Sequence, residues 1–133
     1  MKKTLIIILI IIALLVIGFA LTFIPRPVAS VDRDDVSKIV IFNGGTGEEV
    51  EVTDETDVQR ITDNFNAVTF QKEKPSIGYM GYMFNLTFYN EDDKEMKELI
   101  VNSADTIRYR GFFYHAKDGE IDFEFLNSFF EEQ

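Results

Sequence analysis

Apolar and polar positions divide this chain sharply near its start. From Leu5 to Ile24 it reads LIIILIIIALLVIGFALTFI, with Thr22 as the one polar side chain and no charge. A helix rising ~1.5 Å per residue over such a run crosses the ~30 Å hydrocarbon core of a bilayer. Pro25-Arg26-Pro27 ends it, because neither ring supplies an N–H and each restricts the residue before it. The pattern predicts a cytoplasmic tail over 1–4, a transmembrane anchor over 5–24, a tether over 25–35 and a folded extracytoplasmic domain over 36–133.

Beyond the tether the period shortens to that of strands. Val36 to Phe42 is rich in β-branched residues, and Glu48 to Thr53 alternates Val50 and Val52 against Glu49 and Glu51. Asn43 to Gly47 between them is a turn, so the two runs form a hairpin. Asp54 then offers an N-cap, and Val58, Ile61, Phe65 and Val68 recur at helical spacing over Glu55 to about Asn66. Phe70 to Glu73 is a short strand broken at Lys74-Pro75-Ser76. Gly78 to Tyr89 is predicted as the longest strand, with Tyr82, Phe84, Leu86 and Phe88 on the core face, against helix residues Ile61, Phe65, Leu126 and Phe130. Met96 to Asn102 returns, and Asp105 to Arg110 and Phe112 to Ala116 pivot at Gly111. A last helix is capped by Asp122, stapled by Ile121 and Leu126, and buries Phe125, Leu126, Phe129 and Phe130. The fold expected is α+β, an N-terminal transmembrane helix followed by an antiparallel sheet of about seven strands with two helices packed on it.

Composition changes the picture in two ways. Cys is absent, so the domain rests on its core with no disulfide, thiolate metal site or Cys nucleophile. The net charge is −10, and all 23 acidic residues follow the apolar run, whereas Lys2 and Lys3 precede it. So acidic a domain repels nucleic-acid phosphates and anionic lipid, which argues against a nucleic-acid partner and against a basic face laid on the membrane. Lys2 and Lys3 before the run place the domain outside, although Arg26, Arg33 and Lys38 lie near its other end. The alternative is a cleaved export signal with Val28 and Ser30 as the small-residue pair, but the run exceeds the ~7–15 residues of a signal core.

Candidate chemistry is sparse. His115 is the single histidine, and a general base needs an oriented partner that the sequence does not identify. Clustered carboxylates favour calcium, and Asp118, Glu120 and Asp122 around a turn glycine are the nearest to such a site, without a calcium-loop pattern. Gly44 to Gly47 is a hairpin turn rather than a phosphate loop, and the sequon Asn85-Leu86-Thr87 lies inside a strand. Arg108 and Arg110 are expected to pair with neighbouring carboxylates. Tyr79, Met83 and Tyr89 share the other face of the long strand; left uncovered, they form a candidate binding surface.

The hairpin start VSKIVIFNG, the helix entry VTD, the GYMF segment before a charged turn and the closing IRYRGFFY together resemble uncharacterised small membrane-anchored extracytoplasmic domains of low-GC Gram-positive bacteria. The resemblance implies a single anchor and supplies no catalytic residue. The expected function is a single-pass anchored binding or sensing module with no cofactor and a protein or envelope partner. The alternatives are an envelope enzyme using carboxylates with His115, a structural subunit of a membrane complex, and a secreted protein.

Overall fold

The computed structural model describes residues 1–79, 81 and 83–131. Helix α1 covers Lys2–Leu21, and the domain buries none of its residues. Among the described residues it is the one helix long and apolar enough to cross a membrane, a test that a signal sequence also passes. It starts and stops three residues earlier than the apolar run. Thr22 Oγ1 donates to Phe19 O at 2.6 Å, and tighter i→i−3 backbone bonds carry the coil on to Ile24.

The domain is α+β, with a seven-stranded antiparallel sheet. Its strands are β1 (Lys38–Asn43), β2 (Glu49–Val52), β3 (Thr69–Pro75), β4 (Phe84–Tyr89), β5 (Glu95–Ser103), β6 (Thr106–Tyr109) and β7 (Phe112–Asp118), in the order β2-β1-β4-β5-β6-β7-β3. Helix α2 (Glu55–Ala67) starts where Asp54 accepts from Asp57 N, and α3 (Phe123–Glu131) where Asp122 accepts from Phe125 N. The β6–β7 turn needs left-handed backbone at both Arg110 (φ 50°) and Gly111 (φ 84°), as tight hairpin turns do.

Register explains the core. Directly paired residues point to one face, so Phe84, Val101, Ile107 and Tyr114 line up across four strands, as do Ile41, Leu86 and Leu99 across three. All seven are buried. The Phe65 ring of α2 meets Phe88 edge-on at 5.7 Å, and Phe130 of α3 stacks on Phe84 at 5.7 Å, as the alternation predicts. Ile61 and Leu126 complete the same core, with Phe125, Phe129 and Phe130 only half-buried.

Tyr82, expected on the core face, lies outside the described residues. Two expectations change. The long strand begins only at Phe84, because β3 and β4 are separated by three strands and the chain between them must cross the sheet. That crossing is held by Arg108, which donates to Tyr79 O at 3.1 Å and to Gly81 O. The expected tether is packed. Arg26 and Phe70 exchange backbone bonds at 2.9 Å, Val28 and Ala29 are buried, and Asn66 of α2 clasps Val31 through N–H and C=O at 2.7 and 2.9 Å. An apolar Val-Ala pair left in water would forfeit burial that the sheet offers.

Candidate functional site at the base of the domain

The structure sets the three residues singled out as a binding surface in different surroundings. Met83 lies just before β4 and Tyr89 ends it, roughly 20 Å apart at ~3.3 Å per residue. Tyr79 sits in the crossing, half-exposed, with its ring edge-on to Phe113 at 5.0 Å. It therefore covers the sheet face rather than extending a patch along it. Tyr89 carries Lys38 at 4.8 Å over its ring.

His115 Nδ1 lies 3.6 Å from Glu73 Oε1, with both side chains well exposed. Asp105 is held below the usual carboxylate range by hydroxyl donors, Ser103 Oγ at 2.7 Å first and Thr106 Oγ1 at 3.0 Å second. Hydroxyl donation stabilises this ionised form, the opposite of what a general acid requires. The calcium candidates are dispersed as well. Asp122 is taken by Arg60 at 3.0 Å and by the α3 cap, and among the described residues no three Asp, Glu or His side chains converge as metal ligands.

What the fold does assemble is a cavity of ≈ 430 Å³ where the chain leaves α1. Its wall contains Arg26 of the packed segment, Lys72 of β3, Lys97 of β5 and Arg110 of the β6–β7 turn. Tyr109, Phe112 and Tyr114 supply aromatic surface. The helices pack on β4 through Phe65, Phe123 and Phe130, and segment 26–31 runs beside the cavity, bonded to Phe70 of β3 and to Lys97 of β5.

Local structure explains each cation. Lys97 is in phase with the buried Leu99 and Val101, so its stem points to the core face while its ammonium donates to Val28 O at 2.7 Å and Ser30 O at 2.8 Å. Burial first, and Arg110 second, hold its pKa below the usual 10.5. Lys72 pairs in register with Tyr114, lies 4.4 Å from the Phe112 ring centre and donates to Thr22 Oγ1 at 3.1 Å. Arg110 lies over the Tyr109 ring at 5.2 Å. The expected pairing of Arg108 and Arg110 with carboxylates is not found among the described residues. Arg108 instead donates to Asn102 Oδ1 at 3.1 Å and to the crossing.

These four residues come from four separated stretches, so no motif announces them. The readable signal is a lysine in the apolar phase, Lys97 with Leu99 and Val101 and Lys72 with Phe70. Compared with family models, curated proteins and solved structures, the chain matches none, so its function is argued from this cavity and its position.

Proposed function

We propose that this chain is a single-pass membrane protein whose extracytoplasmic domain is a binding module, with the cation-lined cavity as its site. One observation carries the reading. An unburied apolar helix of membrane-spanning length runs directly into that cavity, since Lys72 in its wall bonds Thr22 at the helix end. A helix this apolar left in water would cost far more than its placement in lipid, and Lys2 and Lys3 favour the cytoplasmic side. The packed segment 26–31 leaves little slack, so the site stays at the membrane surface. The resemblance to small anchored extracytoplasmic domains supports the same placement.

The test is protease treatment of intact, wall-stripped cells. The domain is expected to be digested while a cytoplasmic control survives, and the α1 stub is expected to stay with the membrane through a high-salt wash. Full protection would put the domain in the cytoplasm. A domain released without detergent would mean that α1 is removed as a signal.

A further inference from the structure

The charge of the cavity runs against the rest of the chain. The chain has 23 acidic side chains against 13 basic ones, yet four cations and no carboxylate line this wall. The salt bridges formed among the described residues use Arg33, Lys38, Arg60 and His115, all outside the cavity. Among the described residues, its own cations are met by neutral groups, namely carbonyls and a hydroxyl, and by the faces of Phe19, Phe23, Phe112 and Tyr109. Cation–π contacts of this kind are weak at exposed sites and fall well short of neutralising the charge. The missing counterpart is an anion.

Position narrows its chemistry. The 20 residues of α1 span ~30 Å, the thickness of the hydrocarbon core. The Phe112 ring in the cavity wall lies 6.5 Å from Phe19, two residues before the helix ends. With α1 across the bilayer, the cavity lies at the level of the headgroups, where phosphate is the common anion. Guanidinium groups pair with phosphate oxygens in a bidentate fork, lysines add point charge, and tyrosine hydroxyls can donate. A volume of ≈ 430 Å³ is within the range of small-ligand sites.

We infer that the cavity walled by Arg26, Lys72, Lys97 and Arg110 binds a phosphate-bearing group, a phosphomonoester or phosphodiester presented at the membrane surface. The inference rests on the reading of the chain as an anchored binding module. Arg26 and Arg110 are exposed and make no side-chain hydrogen bond among the described residues, so both can be changed without loss of the fold.

The experiment uses the full chain, with Arg26→Gln and Arg110→Gln singly and together, and with both arginines changed to Lys. In one arm, nanodiscs of phosphatidylcholine carry a minority of phosphatidylglycerol, and native mass spectrometry counts the phosphatidylglycerol retained after transfer to uncharged detergent. In the other arm, the chain in dodecyl maltoside is titrated with glycerol 3-phosphate, with inorganic phosphate and with an oligoglutamate peptide, followed by the lysine Nζ resonances. Phosphate-dependent binding is expected, weakened at least tenfold in the double Gln variant and less in the Lys variant. Binding in the lipid arm alone assigns a headgroup, and binding in both arms assigns the phosphate group whatever its carrier. No phosphate binding in either arm, or equal binding by parent and double Gln variant, overturns the inference. Oligoglutamate bound through the same arginines, with phosphate refused, overturns it while leaving the binding-module reading intact. A protected domain in the protease assay would instead remove that reading, whatever the purified chain binds.

Discussion

Phe84 shows how much of this domain rests on single side chains. It is fully buried between Phe123 at 5.2 Å and Phe130 at 5.7 Å, and it pairs with Val101 across the sheet. Phe84→Ala deletes the ring and leaves a cavity, at a cost of ~3–5 kcal/mol, against a typical domain total of ~5–15 kcal/mol. A denaturant titration of the parent and the variant should show this loss; an unchanged midpoint would mean that the ring is not in the core. His115 marks the other extreme. Its pair with Glu73 is exposed, and such pairs contribute ~0–1 kcal/mol. His115→Ala is expected to leave both the melting temperature and any binding at the cavity unchanged, and a loss of cellular function with the fold intact would revive the enzyme alternative. Lys97 gives a pH-dependent signature. Burial and Arg110 lower its folded pKa below the usual 10.5, so its charged form is costly in the native state. Stability should therefore rise as pH climbs through the lowered value and level off near the unfolded one. The neutral amine keeps two N–H groups for Val28 and Ser30. Lys97→Gln should flatten that alkaline rise in a pH series of melts, relative to the parent.

At the scale of elements, segment 26–31 decides how rigidly α1 and the domain are joined. Asn66 fastens it by two hydrogen bonds to Val31, and Lys97 by two more to Val28 and Ser30. Asn66→Ala removes the first pair and leaves a part-buried N–H and C=O unmet, a loss of ~1–3 kcal/mol. Hydrogen exchange should then speed up at Val31 and neighbouring amides while the β4 and β5 amides stay protected; uniform acceleration would mean that the segment is part of the global core. The same element shows where the sequence stops being readable. The hairpin, the Asp54 cap and the Phe84-Leu86-Phe88 alternation are local patterns, and each appears in the fold. Segment 26–31 was legible only as polar chain because Val28, Ala29 and Val31 are too few and too close together to show a periodicity. The crossing from β3 to β4 follows from strand order, which no local pattern carries. The cavity needed both, and its cations at 26, 72, 97 and 110 share no spacing.

On the proposed membrane placement of α1, charge and geometry favour one pose of the domain. The acidic surface is repelled by anionic lipid, whereas the cation-lined corner adjoins the end of α1. Ile77, 85% exposed, follows the end of β3, where Pro75 pairs with Phe112 and Ser76 N donates to Gly111 O. With α1 across the bilayer as proposed, this exposed isoleucine, two residues beyond the partner of Phe112, is placed to meet the interface. The β1–β2 turn lies toward the opposite edge, since β2 and β3 are the two edge strands of the seven-stranded sheet. At ~4.8 Å per strand, the two edges are separated by roughly 29 Å. Because the chain has no Cys, single spin labels can be placed at Ile77→Cys and Thr46→Cys without removing any native thiol. In nanodiscs, the label at 77 should relax the lipid headgroup protons strongly and the label at 46 weakly. The contrast should shrink in 0.5 M salt only if electrostatic attraction holds the corner down, and persist if the packed segment alone sets the pose. Equal relaxation from both positions would show a domain that tumbles freely above the bilayer, and the cavity would then have no fixed place among the headgroups.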